Sequence, residues 1–93
     1  MAHFEWHIQK AMRNLKKHGV SFDEAATVFN DPLARIFDDP NHSITESREL
    51  IIGHSIVGRL IMVSFVEKEQ GLVRIISARQ TTNKERTDYE ENS

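Results

Sequence analysis

Arg74, Arg79, Lys84 and Arg86 fall within one stretch, RIISARQTTNKERTDYEE (74–91), which also carries Tyr89. A guanidinium is a planar fork of donors that stays charged, so it matches the oxygens of a phosphate better than an ammonium does. A second group of cations, Lys10, Arg13, Lys16 and Lys17, precedes His18, and Glu5 is the only acid before residue 21. Between the two groups, residues 21–50 hold seven carboxylates against Arg35 and Arg48. If the fold joins the basic segments, an acidic chain gains a local anion-binding surface. The alternative is an ordinary mixed surface.

The whole chain bounds that chemistry. A formal charge of −2 and a pI near 6.2 argue against coating nucleic acid by bulk charge. There is no cysteine, so neither disulfides nor a thiolate metal site is available, and no acidic triplet suggests a metal cage. No metal or cofactor is expected. Ninety-three residues with 39% hydrophobic content suit one domain, residues 1–93. No apolar run has the length of a membrane span, and MAHFEWHIQK lacks the apolar centre of a signal peptide, so a cytoplasmic protein is expected. Asn41-His42-Ser43 fits the glycosylation pattern but reads as a turn in that setting.

The elements that must position these residues form an α+β pattern: two N-terminal helices, an antiparallel meander of about four strands, and a C-terminal helix. HFEW could add a short first strand with Phe4 and Trp6 on one face. Ile8, Met12 and Leu15 then recur at i, i+4 and i+7, the apolar stripe of an amphipathic helix that Lys16, Lys17, His18 and Gly19 close. Ser21 and Glu24 have capping-box spacing ahead of a second helix with Phe22, Ala25, Ala26 and Phe29 on one face. Trp6, Phe22 and Phe29 read as core. The second helix has no Lys or Arg and an acidic start, which makes a poor DNA-reading helix.

Four strands follow, over 33–37, 47–54, 58–67 and 71–79, separated by turn-like DDPNH, SIVG and KEQ. The third is apolar on both faces and reads as central. In the fourth, strict alternation puts Val73, Ile75, Ser77 and Arg79 on one side and Leu72, Arg74, Ile76 and Ala78 on the other. Thr82 and Glu85 give a second capping box, which predicts a helix over 83–91 with Thr82, Arg86 and Tyr89 turned inward. The alternative is a frayed tail.

The series KKHGVSFDEAATVFNDP, ESRELIIGH, GRLIMVSF and RIISARQTTNKERTDYEE, in that order, resembles the BrnT family of bacterial toxins over nearly the whole chain. The resemblance implies a RelE-like α+β fold and a metal-independent cut in RNA. It also implies inhibition by a cognate antitoxin of ribbon-helix-helix type, through which alone DNA would be engaged. Two positions depart from the pattern: His7-Ile8 stands where relatives place an Asp after FEW, and Val66 where they often have Thr.

Metal-independent RNA cleavage needs a base for the 2′-hydroxyl, a donor for the leaving oxygen, and cations for the phosphate. On that footing His18, Arg79, Arg86 and Tyr89 are the catalytic candidates, and Lys17, Arg48, Arg74 and Lys84 the RNA binders. Arg79 and Arg86 would converge on the scissile phosphate while His18 or Tyr89 assists proton transfer. Each has a plainer alternative: His18 satisfying helix-end carbonyls, Arg79 pairing with Glu85, Arg86 with Glu90, and Tyr89 anchoring the last helix. The acidic segment from Asp23 to Glu49 would offer a surface to a basic partner. A competing reading is a non-catalytic module that binds the antitoxin and modulates its repression.

Overall fold

A short strand, β1 (His3–Glu5), leads into helices α1 (Ile8–His18) and α2 (Phe22–Thr27), the latter continued by one 3-10 turn over Val28–Asn30. Strands β2 (Arg35–Asp38), β3 (Arg48–His54), β4 (Leu60–Glu67) and β5 (Leu72–Gln80) follow, then helix α3 (Asn83–Glu91). The computed structural model describes residues 3–39 and 47–92, so the turn read at Asn41-His42-Ser43 lies outside the described residues. The strand order is β1-β5-β4-β3-β2. The expected antiparallel meander is β2 to β5, and β1 adds a parallel edge beside Leu72–Arg74, which makes the sheet mixed.

The two faces of the sheet are covered unequally. Under α1 and α2 lies the main core, Val20, Phe22, Ala25 and Val28 against Ile51, Ile61, Val63, Phe65, Val73, Ile75 and Ala78, with Phe4, Trp6 and Phe29 packed beside it. Phe29 meets Phe4 and Phe65 at ring separations of 5.1 and 5.0 Å, and Trp6 meets Phe22 edge-on at 5.9 Å. The opposite face carries a smaller cluster, Ile52, Leu60 and Met62 under Tyr89 of α3. Strand β4 feeds both clusters, as a central strand with two apolar faces must. Behind α2, the chain presses on β3 so closely that a Cβ at Gly53 would come within 2.8 Å of the Ala34 Cβ, which explains the glycine there.

Helix α1 departs from expectation. Its apolar stripe faces water: Ile8 is 64%, Met12 65% and Leu15 51% exposed. The face that meets β5 instead contains Ala11 and the buried Asn14. The Asn14 amide donates to Val20 O at 2.9 Å and Ala78 O at 2.8 Å and accepts the Ala78 N–H at 3.0 Å. Two carbonyls can only accept and one N–H can only donate, so the amide's orientation is fixed and all three partners are satisfied. At its start α1 has no side-chain cap, in keeping with His7 where an acceptor would stand, and it ends on Gly19 in the left-handed region at φ 69°.

The two capping boxes differ. At α3 both halves form, with Thr82 Oγ1 accepting the Glu85 N–H at 3.1 Å and Glu85 accepting the Thr82 N–H at 2.8 Å. At α2 Ser21 accepts the Glu24 N–H at 3.0 Å, but the Glu24 carboxylate serves the β3–β4 hairpin instead. It accepts Arg59 Nε at 2.9 Å, a second Arg59 donor, and Ser55 Oγ at 2.7 Å, because a forked charged pair outcompetes one backbone N–H. Tyr89 faces inward as expected, but its companion there is Glu85, and Thr82 and Arg86, also expected inward, stay exposed.

Candidate functional site

A β-bulge decides where the arginines point. Ser64 pairs with Ser77 and Phe65 with Ile75, so Ile76 is an extra residue in β5 with no partner opposite. Up to Ile75 the alternation read from sequence holds, with Val73 and Ile75 in the main core. Beyond the bulge it inverts, so Ala78 enters the core and Ser77 and Arg79 move to the other face. Arg74 and Arg79, expected on opposite sides, therefore share one.

Cross-strand pairing completes that face. Rows run Arg48–Val66–Arg74, Leu50–Ser64–Ser77 and Ile52–Met62–Arg79 across β3, β4 and β5. Among the described residues, helix α3 covers the end of this face at Ile52 and Leu60 and no other element crosses the rest. Next to it lies a groove of about 260 Å³, lined by Asp39, Arg48, Leu50, Met62, Ser64, Ile76, Ser77 and Arg79. Four residues of strand separate the first row from the third, or about 13 Å at about 3.3 Å per residue. Cations so spread suit successive phosphates of one strand better than a single phosphate.

Carboxylates hold the guanidiniums in place. Arg79 donates both Nη atoms to Glu85, at 2.8 and 2.9 Å, and reaches Met62 Sδ at 3.4 Å. Arg74 Nε donates to Glu5 at 2.7 Å, and Lys68 Nζ lies 3.6 Å from the same carboxylate. The Arg79 fork and the Thr82 N–H together hold the Glu85 pKa down to about 2, against partial burial. Because that folded value is depressed, the pair's stabilisation is complete above the ordinary carboxylate pKa of 4.5 and is lost as pH falls from there toward 2. Thermal unfolding from pH 6 to pH 2.5 should therefore show a loss in the native protein that Glu85→Gln makes measurably shallower, the remainder coming from Glu5, Glu24 and Asp31, whose carboxyls their partners also hold low. An identical slope in the variant would show that Glu85 carries none of it.

The other candidates are placed differently. Tyr89 is an anchor: its buried hydroxyl donates to Leu33 O at 3.0 Å, its ring meets His54 edge-on at 6.0 Å, and the Arg35 guanidinium lies 5.8 Å from the ring centre. Burial, helped by the charge of Asp31, raises its pKa, so it stays a neutral donor. Arg86 is exposed on α3, with Nη1 3.8 Å from Glu90, and Lys84 is exposed in the first turn of the same helix. Lys17 and His18 close α1 on the far layer, so they reach the open face only round β5, which past Arg74 has no outer strand among the described residues. Thus Arg48, Arg74 and Arg79 are brought together, while Arg86, His18 and Lys17 are not shown to join them.

Sequence reasoning missed Ser64, Ser77 and Asp39 in the groove. The first two carry no signal beyond a polar position on a strand, and the bulge that aligns them has no glycine to mark it. Among the described residues no three His, Asp or Glu side chains are grouped to hold a metal ion. His3 and His7 are spaced i, i+4, but on an extended segment rather than one helical face. No described helix is long and apolar enough to cross a membrane. Two carboxylates of the acidic middle segment are engaged internally, Glu24 by Arg59 and Ser55, and Asp31 by the His54 and Leu33 N–H groups at 2.8 and 2.9 Å.

Among solved structures the chain is similar to the Brucella abortus ribonuclease toxin BrnT. The two share 21% identity and a TM-score of 0.69, over 89% of this chain and all of that one, which establishes a common fold. No curated protein is significantly similar to the chain. The model of the family described as the ribonuclease toxin BrnT of type II toxin–antitoxin systems matches residues 6–85, from Trp6 through the Arg79–Glu85 pair. The chain belongs to this BrnT family of ribonuclease toxins.

Proposed function

We propose that the chain cuts single-stranded RNA endonucleolytically on the open face of the sheet, without a metal ion. The observation that carries the proposal is the alignment of Arg48, Arg74 and Arg79 on one face by the β5 bulge. In this reading Arg79, held by Glu85, faces the scissile phosphate and stabilises charge as it builds on the phosphoryl oxygens. Arg48 and Arg74 bind flanking phosphates, and Ser64 and Ser77 offer hydroxyls to sugar or base edges. Lys17, Lys84 and Arg86 extend the contact from the margins. Of the two proton-transfer candidates the Tyr89 hydroxyl is already committed to Leu33 O, which leaves His18, and His18 would have to reach the phosphate round the edge of β5. The antitoxin is of ribbon-helix-helix type, contacts DNA on the toxin's behalf, and neutralises it in the cytoplasm.

The chemistry is transfer within the RNA itself. The 2′-oxygen attacks the adjacent phosphorus as its proton leaves, and the 5′-oxygen departs with a proton, giving a 2′,3′-cyclic phosphate and a 5′-hydroxyl. Purified protein is expected to cleave an RNA oligonucleotide equally well with and without chelator, and to leave the same oligonucleotide intact when every 2′-hydroxyl is replaced by hydrogen. Cleavage that stops on chelation, or that proceeds on the deoxy strand, would overturn this mechanism. Failure of the wild-type chain to cut RNA or arrest growth on induction would favour the non-catalytic antitoxin-binding module.

A further inference from the structure

The fold leaves the apolar stripe of α1 unused. Ile8, Met12 and Leu15 are each more than half exposed, while the helix docks on β5 through Ala11 and Asn14. We propose that this stripe is where the antitoxin docks, through an amphipathic helix whose apolar face is bordered by Asp or Glu. The inference rests on the antitoxin partnership that family membership implies and does not depend on the roles given to the arginines.

Three observations select that occupant. The stripe spans two turns, about 10 Å at about 1.5 Å per residue, the length over which one partner helix lays an i, i+4, i+7 set of anchors in register. Charge gives the partner's sign: α1 carries Lys10, Arg13, Lys16 and Lys17 and no acid, and at helical spacing Lys16 and then Arg13 border the stripe on the side away from Ala11. A partner with carboxylates there meets complementary charge. Nucleic acid would use the cations but leave three apolar side chains in water. A second copy of this chain would set like charges against one another.

A second exposed apolar patch, Leu33, Ile36 and Phe37 around β2, has a mixed border of Asp31, Arg35 and Asp38 and so specifies no partner charge, and a third, Ile56 and Val57, is only the two-residue tip of the β3–β4 turn. The acidic segment 23–49, expected to receive a basic partner, has Glu24 and Asp31 engaged internally. The basic helix is thus the better recognition surface; its stripe lies on the layer opposite the arginine face, and only Lys10, near its start, shares a pocket with Arg48 and Arg74.

The test is binding of the purified antitoxin of the same module to the full toxin chain, wild type against Met12→Asp, Leu15→Asp and the pair Arg13→Glu/Lys16→Glu. Either Asp variant should weaken binding about 100-fold, mostly through faster dissociation, as expected for an anchor at an interface centre. The charge reversal should slow association about tenfold and flatten its dependence on salt. All three should keep the wild-type melting temperature and RNA cleavage. Antitoxin affinity within threefold of wild type in both Asp variants would overturn the proposal. So would loss of RNA cleavage with antitoxin binding intact, or a wild-type homodimer that Met12→Asp dissociates. If Arg79→Ala cleaved RNA normally while Met12→Asp lost the antitoxin, the cleavage mechanism would fail and the docking site would stand.

Discussion

Arg79→Ala should lower the rate of RNA cleavage by about 10²- to 10³-fold, with the larger part in kcat. A preorganised donor acts mainly where charge develops, and Arg79 is the most firmly oriented cation on the open face, gripped at two nitrogens by Glu85. Arg79→Lys keeps the charge but loses the fork, so it should recover only part of the rate. The substitution to Ala also leaves the Glu85 carboxylate without its partner, so the folded fraction must be measured alongside. Glu85→Gln separates the two effects. It keeps the fold but frees the guanidinium to swing, and a rate between those of wild type and Arg79→Ala is expected. Arg79→Ala at wild-type rate in a folded protein would remove Arg79 from the chemistry.

Asn14→Ala should cost about 3 to 5 kcal/mol of stability. It leaves two carbonyls and one N–H without partners in a buried setting, at about 1 to 3 kcal/mol each, partly offset by water entering the space vacated. For a domain of this size that is a fall of roughly 15 to 30 °C in Tm. Met12→Ala, on the exposed stripe, should shift stability by no more than about 0.5 kcal/mol. Periodicity alone ranks the two the other way, since it reads Met12 as core and Asn14 as surface. Comparable thermal melts for Asn14→Ala and wild type would mean that α1 does not sit on β5 as described.

What could be read from sequence was local. The Thr82–Glu85 spacing placed α3 at the residues where it lies, and the central strand showed itself by being apolar on both sides, because both signals depend only on near neighbours. The Ser21–Glu24 spacing was half right. Its backbone half is local, but the fate of the Glu24 carboxylate was decided by Arg59, 35 residues away. Helix α1 was found by its stripe yet docked by its other face, since a 3.6-residue period marks an apolar side without saying whether the fold or a partner covers it.

The arginine face was legible as composition and not as geometry. Arg74 and Arg79 were visible as cations on one strand, but their common side depends on the extra residue at Ile76, and a β-branched bulge carries no mark in the sequence. Arg48 joins them through pairing across β4, which no window on the chain contains. Tyr89 shows the converse. Its candidate chemistry gives way to a hydrogen bond with Leu33 O, which holds α3 against the sheet.

The most direct measurement is amide chemical-shift mapping of the full chain with an uncleavable 2′-deoxy oligonucleotide. Binding on the arginine face predicts the largest changes at Leu50, Ser64, Ser77 and Arg79, with Asn14, Phe22 and Ala25 on the other layer unmoved. Changes concentrated on α1 and α2, with those strand amides silent, would contradict it.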